Sequence, residues 1–404
     1  MDIKKEIKGP LKGLVVADFT QLAQGPWATQ MLGDMGADIV KIEPPKGDWM
    51  RHYAYGNIYT KGESISFLSF NRNKRSIVLN LKDPKGIEAA KRIISKADIV
   101  IENFRPGVME RLGLGYQMLK ESNPGIIYCS SSGYGSEGPY VSRPGQDLLA
   151  QSLAGGAFLN GKKGDIPVVT AVGQADLLTS LFIVQSILAA LHFKSQTGKG
   201  QKIEACLLNS IISFHIQEIT AYLSKMELPE RSQSGIPNPW LGAPYGLYDT
   251  MDGYIAIGMN SVQTLARIIG LEEYQDEKYN SNNIIEDRDT IRDAFNGVFK
   301  TKTTEEWLSI LLAQDIWCSK VNSFKEMVED PQVAYNEMII DYSHPTAGKV
   351  ATTGFTVKFS ETPQQVSRPA PLLGEHTREL LEEFGFTQEE MDGIINIVAE
   401  PENK

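Results

Sequence analysis

Asp176 is the residue of this sequence whose position best suits nucleophilic chemistry. It follows a loop of small residues at 172–175 and opens a long apolar segment, predicted to be helical from about Leu177 to Phe193. A carboxylate at a helix start lies near unpaired backbone N–H groups and at the positive end of the helix dipole. We expect this setting to keep Asp176 ionised, as a nucleophilic carboxylate requires. An aspartate in a first helical turn is also a common helix cap, and the segment alone favours that simpler interpretation.

Length and charge restrict the class of protein. The chain has 404 residues, enough for two domains that each bury a core. The formal net charge of −10 argues against nucleic acid as a partner, and it requires that any polyanionic ligand be held by local cations. The charged segment 1–8 lacks a signal-peptide core, and polar residues interrupt the apolar segment 177–193. We therefore expect a cytoplasmic protein without a membrane partner.

The residue types that bind metals show no clustered spacing. Cys129, Cys206 and Cys318 are far apart and form no Cys-x-x-Cys pair, and the five histidines are scattered along the chain. We therefore predict reduced interior thiols and no metal site.

Basic residues are grouped near predicted strand ends of the N-terminal half, where α/β folds form ligand crevices. The residues that we select as candidates are Lys74, Arg75, Lys82, Arg105 and Arg111. Arginine forks, lysine ammonium groups and helix N-termini are the groups that bind phosphates. Any one of these residues alone is more simply a solvated surface charge. Their concentration within an acidic chain favours a phosphate-bearing ligand.

The elements that must position these residues alternate between short apolar runs and helical patterns. Predicted strands lie at 14–18, 38–43, 76–81, 98–102 and 125–129, and predicted helices at 25–35 and 84–97. This alternation indicates a parallel, doubly wound, Rossmann-like α/β sheet. Glycines at 133–138 match a dinucleotide-binding spacing, but Pro139 follows and no helix opens there, so we do not expect nicotinamide binding.

The second half of the chain has a different pattern. After a turn-rich segment at 231–239, a hairpin is predicted at 245–258, and one later helix begins with the capping box of Thr303 and Glu306. These features predict a smaller α+β domain. A late strand at 353–359 and a late helix at 377–384 are also predicted.

Taken in order, these segments resemble CoA-transferase family III, the group that contains formyl-CoA transferase, carnitine CoA-transferase and the α-methylacyl-CoA racemases. The segments that carry the resemblance are Leu11–Thr20, Gly25-Pro26, Gly36–Pro45, Asn71–Ser76, Glu102–Gly107, Ser132–Tyr140, Arg143–Asp147, Thr197–Gly200, Asp252-Gly253 and Pro371–Thr377. They cover nearly the whole chain, and the ordered set is specific although no single segment is decisive.

The resemblance implies roles for particular residues. Asp176 becomes the catalytic nucleophile, Asp147 a supporting acidic residue, and Gln24 a residue near the thioester. The residues implied to contact coenzyme A are Lys82 and Arg111, with Leu79 and Leu112 beside the adenosine, while Lys74, Arg75 and Arg105 are further candidates. The acyl-CoA thioester is a substrate, and no cofactor is expected to be permanently bound.

The resemblance also implies the domain arrangement. Residues 1–224 form the large CoA-binding domain, 225–335 the small domain, and 336–404 a segment that returns to the large domain. Two such chains are expected to form an interlocked homodimer.

The implied reaction is covalent. Asp176 attacks an acyl-CoA to give an acyl-aspartyl anhydride, and the CoA thiolate then attacks this anhydride to leave an aspartyl-CoA thioester. An incoming carboxylic acid repeats these steps in reverse, so that one difficult exchange is divided into easier ones. Backbone amides around Gly242 and Gly246 are candidates for stabilising the oxyanions.

Two alternatives share this fold. The racemase branch uses a histidine immediately before the first acidic residue, but this chain has Gln146 there, and glutamine is not a general base. A CoA-binding protein without activity is disfavoured because Asp176 is present.

The chain also lacks the tetraglycine loop of formyl-CoA transferase and has Ala23 where that enzyme has glutamine, so formate and oxalate are not the expected pair of substrates.

Overall fold

The computed structural model describes residues 9–399, which form two compact units. The larger unit comprises the chain up to Ala150, Gly173–Phe214 and the chain from Ala334 onward. The smaller unit comprises Gln151–Val172 and His215–Val333. This division differs from the sequence-based boundaries in three respects, one of which is that the chain returns to the larger unit at Ala334 and not at 336. Residues 151–172 belong to the smaller unit, and the main boundary lies at 214/215 instead of 224/225.

The strands of the larger unit form a parallel sheet. In chain order, the strands of the whole protein are β1 (Val15–Asp18), β2 (Asp38–Glu43), β3 (Tyr59–Thr60), β4 (Glu63–Ser64), β5 (Lys74–Val78), β6 (Ile99–Glu102), β7 (Ile127–Ser132), β8 (Lys202–Cys206), β9 (Gly246–Asp249), β10 (Tyr254–Ile257), β11 (Cys318–Lys320), β12 (Ile339–His344) and β13 (Gly348–Thr353). The sheet order is β5-β2-β1-β6-β7-β8, and each neighbouring pair is parallel. The order reverses beside β1, as in a doubly wound fold, which confirms the predicted fold class.

The helices connect and cover these strands. They are α1 (Gln24–Asp34), α2 (Ile65–Phe70), α3 (Pro84–Ser95), α4 (Val108–Arg111), α5 (Tyr116–Ser122), α6 (Asp147–Leu153), α7 (Gln174–Thr197), α8 (Leu207–Phe214), α9 (Ile216–Lys225), α10 (Val262–Ile269), α11 (Arg288–Phe299), α12 (Thr304–Leu312), α13 (Phe324–Glu329), α14 (Pro331–Tyr335), α15 (Thr377–Glu383) and α16 (Gln388–Ala399).

Successive residues of a strand face opposite sides of the sheet, so both faces are buried. Val16 and Ile39 pack in one core with residues of α1 and α7, whereas their neighbours Ala17 and Val40 pack in another with residues of α3, α15 and α16. This two-sided burial explains the continuous apolar runs of the sequence.

Helix α7 is the longest helix of the larger unit. By length and composition alone it could cross a membrane. However, Ile183, Ile187 and Ala190 of α7 are fully buried in the core that also contains residues of α1. The helix therefore packs as part of a globular unit, as the polar interruptions in its sequence predict.

The C-terminal segment completes the larger unit. Leu380 and Leu381 of α15 have no exposed surface and belong to the core formed with β5 and α3. Arg75 of β5 forms ion pairs with Glu379 and Glu383 of α15.

The smaller unit has its own core. The antiparallel sheet β11-β10-β9 packs with α10, α11 and α12 around Phe295 and Phe299, both without exposed surface. The hairpin β9–β10 forms as predicted, and both contacts of the capping box between Thr303 and Glu306 are present.

Two local predictions need correction. The strand predicted at 76–81 is β5 and lies at 74–78, so that Lys74 is at its amino end. The strand predicted at 353–359 is wrong, because β13 ends at Thr353 and the residues that follow pair with no strand in the described chain. The late helix is confirmed as α15.

Candidate active site

Asp147, which lies 28 residues before Ala175 in the sequence, caps helix α7. The residue before the helix, Gly173, supplies no side chain, and Asp147 Oδ1 instead accepts the backbone N–H groups of Ala175 at 2.7 Å and Asp176 at 3.2 Å. Asp176 is the third residue of the helix and is not its cap. The simpler interpretation of Asp176 is therefore wrong, since the cap is Asp147.

The carboxyl group of Asp176 is shifted toward its neutral form. Burial, and then the nearby Asp147 carboxylate, raise the pKa of Asp176 to about 7 from its ordinary value of 3.8. The expectation that the helix start keeps Asp176 ionised does not agree with this shift, whose main cause is burial, and the amides of Ala175 and Asp176 donate to Asp147. At neutral pH both forms of Asp176 are populated. Strongly shifted groups of this kind concentrate at functional sites.

Asp176 lines a cavity of about 170 Å³ at the carboxyl ends of the parallel strands. Its walls come from the chain that follows β1, β6, β7 and β8. Polar and aromatic side chains on these walls include Gln24, Arg105, Tyr140, Arg143 and Gln146. The carboxyl edge of such a sheet is where α/β proteins bind ligands.

Gln24 connects three elements around this cavity. It is the first residue of α1, and its buried side-chain amide donates a short hydrogen bond to the Ser131 hydroxyl of β7. The backbone carbonyl of Gln24 accepts a hydrogen bond of 2.5 Å from the Ser180 hydroxyl of α7, which also donates to the carbonyl of Asp176 at 3.0 Å. These contacts fix Gln24 relative to the helical turn that contains Asp176.

Two buried lysines hold the loop that contains Gln24. Lys41 donates to the Thr20 carbonyl and to Asp48, both at 2.8 Å. Lys74 donates to the Pro26 carbonyl at 2.9 Å and pairs with Asp18 at 3.2 Å. Lys41 thus holds the loop between β1 and α1, and Lys74 holds the first turn of α1.

Lys74 and Arg75 do not have the phosphate-binding position predicted for them. Lys74 has no exposed surface, and its burial lowers its pKa to about 8. Arg75 is enclosed by the carboxylates of Asp38, Glu379 and Glu383. Both residues lie at the amino end of β5, and the Lys74 side chain reaches the end of β1 and the first turn of α1. Because both side chains are bound by protein groups, we assign them structural roles.

The other predicted basic residues are exposed. Lys82 follows the carboxyl end of β5, and Arg111 is the last residue of α4. Arg105 lines the cavity together with Asp176, whereas Lys82 and Arg111 are not among the described residues that line it. The structure therefore brings Asp176, Gln24 and Arg105 together, supported by Asp147.

The two predicted adenosine contacts differ in accessibility. Leu79 has no exposed surface and belongs to the core, and its place beside the adenosine stays a prediction. Leu112 is partly exposed and packs against the same core.

Sequence reasoning missed several polar groups of the site. Ser131 and Ser180 bind Gln24 from β7 and α7, and Arg143 stacks on Tyr140 within the cavity wall. Ser131 follows an apolar run, so its place near a strand end was the available signal. In the smaller unit, the Gly242 amide already donates to Asn283 at 2.6 Å, which removes it as a candidate for oxyanion stabilisation.

A buried aspartate with a raised pKa, beside a polar cavity at the carboxyl edge of a parallel sheet, is the kind of group that concentrates at functional sites of α/β proteins. The sequence matches the model of CoA-transferase family III over residues 11–377, and the chain belongs to this family. It is a CoA-transferase that uses CoA thioesters as substrates.

Named relatives and solved structures agree with this assignment. The chain is 36% identical to succinyl-CoA:glutarate CoA-transferase of Mus musculus, over 93% of this chain and 86% of the relative. It is 32% identical to succinyl-CoA:mesaconate CoA-transferase of Haloarcula marismortui, over 93% of this chain and 97% of the relative. A CaiB/BaiF family protein of Brucella suis is similar in structure, with a TM-score of 0.83, 30% identity, and coverage of 93% of this chain and 100% of that one.

Proposed function

We propose that this enzyme transfers CoA from succinyl-CoA to a short dicarboxylic acid through covalent intermediates on Asp176. The observation that carries the proposal is the carboxyl group of Asp176, which is desolvated, faces a small cavity and is held beside Asp147. The choice of substrates rests on the relatives, among which are enzymes named for succinyl-CoA with glutarate or mesaconate.

In the first step, the Asp176 carboxylate attacks the thioester carbonyl, and the C–S bond breaks to give an acyl-aspartyl anhydride and CoA thiolate. The thiolate then attacks the aspartyl carbonyl of the anhydride, which releases the donor acid and leaves an aspartyl-CoA thioester. The acceptor carboxylate attacks this thioester, which releases CoA thiolate and forms a second acyl-aspartyl anhydride. The thiolate then attacks the acceptor carbonyl of that anhydride, which gives the new CoA thioester and frees the Asp176 carboxylate. Atoms and charge balance without an added proton, because each carboxylate or thiolate consumed is matched by one released.

The neighbours of Asp176 support this sequence in distinct ways. Asp147 fixes the first turn of α7 through two backbone N–H groups, so that the nucleophile has one orientation. Its negative charge, together with burial, raises the pKa of Asp176, so that the Asp176 carboxylate is poorly stabilised and more reactive when it is ionised. Gln24 is positioned by Ser131 and Ser180 to contact the thioester.

We assign the CoA phosphates to exposed cations near the carboxyl edge of the sheet, namely Lys82, Arg105 and Arg111. The chain has a net charge of −10, so local cations must supply the attraction for a polyanionic substrate.

We further propose that the enzyme is an interlocked homodimer. Large apolar side chains are exposed in this chain, including Phe324 at 88%, Tyr335 at 80% and Ile216 at 71%. These side chains are available for contact with a second chain, which the resemblance to the family implies. Light scattering at micromolar concentration should give twice the mass of one chain, and a monomer mass would contradict the dimer.

The test of the proposed reaction is CoA exchange by the purified protein. Succinyl-CoA is incubated with a panel of carboxylic acids, and new CoA thioesters are measured by mass spectrometry. Hydroxylamine added with succinyl-CoA alone should trap a hydroxamate on the peptide that contains Asp176. Absence of exchange with every acid, together with an unmodified Asp176, would overturn the proposal.

A further inference from the structure

Arg143 is a second guanidinium group in the cavity wall that contains Asp176 and Arg105. Its guanidinium carbon lies 3.6 Å from the ring centre of Tyr140, which packs edge-on against Tyr134 at 5.9 Å. A guanidinium group held on an aromatic face keeps its N–H edges available for other partners. Within residues 9–399 no carboxylate pairs with Arg143.

The segment that contains Arg143 is fixed at several points. The Arg143 amide donates to the Tyr140 carbonyl at 3.0 Å. Gly145 packs so closely on Gly133 that an added Cβ would lie 2.4 Å from the Gly133 Cα. Asp147 then binds the first turn of α7, which contains Asp176. Arg143 is exposed, and its positive charge lines the same cavity as Asp176.

The cavity is small and acidic at one end. Its volume of about 170 Å³ is enough for a short acid beside Asp176. The carboxyl groups of Asp147 and Asp176 repel a second anion in this space. A substrate with a remote carboxylate therefore needs a cation in the cavity, and a stacked arginine offers bidentate binding to a carboxylate.

We infer that Arg143 is the specificity residue that binds the remote carboxylate of a dicarboxylic acyl group while Asp176 reacts with the other carboxyl. This inference rests on the proposed CoA transfer and gives Arg143 a role different from that of Arg105. Arg105 follows β6 and is assigned to the CoA phosphates, whereas Arg143 lies on the segment that ends at Asp147.

The test measures binding in the Asp176→Asn background, in which no covalent step occurs. Dissociation constants for succinyl-CoA and butyryl-CoA, which differ in the remote carboxylate, are measured by calorimetry. Arg143→Gln should weaken succinyl-CoA binding by about 10- to 100-fold, the range of a hydrogen bond to a charged group. Butyryl-CoA binding should change by less than about twofold, within the usual effect of a surface substitution. Arg143→Lys should restore part of the preference.

Arg105→Gln is the matched control, because it removes the same group from the same cavity. Arg105→Gln should raise the dissociation constants of both thioesters by the same factor. If Arg143→Gln weakens the binding of both thioesters equally, Arg143 contacts CoA. If it weakens the binding of neither, Arg143 is a surface charge, and either result overturns the inference. Because binding is measured without turnover, a wild-type enzyme that exchanges no CoA would refute the proposed function while leaving this preference measurable.

Discussion

Replacing Asp176 by asparagine should abolish activity and, above neutral pH, stabilise the protein. The amide keeps the shape of the carboxyl group but is a poor nucleophile, so exchange should fall by at least about a thousandfold. The second effect follows from the raised pKa of Asp176, since the folded protein binds a proton more tightly there than the unfolded chain does.

The size and direction of the stability effect follow from linkage. The pKa of Asp176 is about 7 in the folded state against an ordinary value of 3.8. Between these values the folded state holds a proton that the unfolded state has released, so stability falls as pH rises from about 4 to about 7. The difference between the two pKa values corresponds to about 4 kcal/mol in the free energy of unfolding, and solvent screening of this partly exposed group reduces the effect to about 2 kcal/mol.

Chemical denaturation at pH 5 and pH 8 measures this effect. The free energy of unfolding of wild type should fall by about 1 kcal/mol more between these two pH values than that of Asp176→Asn, because pH 5 lies within the range over which the stability changes. The control Asp293→Asn changes the same residue type where the side chain is 70% exposed, and it should behave as wild type. Equal pH dependence in wild type and Asp176→Asn would show that the carboxyl group of Asp176 is not desolvated. Retained turnover above about one hundredth of wild type would exclude Asp176 as nucleophile.

Three further outcomes are expected. Lys82→Ala and Arg111→Ala should each raise the KM for acyl-CoA by an amount equivalent to about 1.5–3 kcal/mol of binding free energy, with a smaller change in kcat. The effect should shrink as the salt concentration rises, and an unchanged KM in both variants would mean that CoA binds elsewhere. In deuterated water, a 2-methylacyl-CoA should gain no α-deuterium, because Gln146 cannot act as a base, and rapid incorporation would favour a racemase. Asp147→Asn should move the acidic limb of the kcat/KM profile to lower pH, because it removes a charge that raises the pKa of Asp176; an unmoved limb would assign the shift to burial alone.

The fold of the larger unit could be predicted because its signals are local. Each parallel strand is buried on both faces, so it appears in the sequence as a short apolar run between helical patterns. The same rule failed at 353–359, where Phe355, Val357 and Phe359 alternate with polar residues. An alternating pattern forms a strand only when another strand pairs with it, and β13 ends before this segment.

The candidate site was predictable only where position along the chain decides the role. Asp176 was found because it opens a long apolar helix. The cap of that helix was missed, because Asp147 lies 29 residues earlier and reaches α7 only through the tertiary fold. Arg75 was misjudged for the same reason, since its partner Glu379 is 304 residues away. A charge near a strand end does not reveal whether it binds a ligand or a distant carboxylate.

The return of the C-terminal helices to the larger unit has a consequence during protein synthesis. Arg75 and Glu379 are separated by 304 residues, which a ribosome translates in roughly 15–60 s at about 5–20 residues per second. Until α15 emerges, the sheet face that packs on Leu380 and Leu381 lacks its cover. Most of the smaller unit, residues 215–333, is already translated at that time. During this time α3 covers the sheet face only in part, and the remaining apolar surface is where a chaperone is expected to bind the nascent chain.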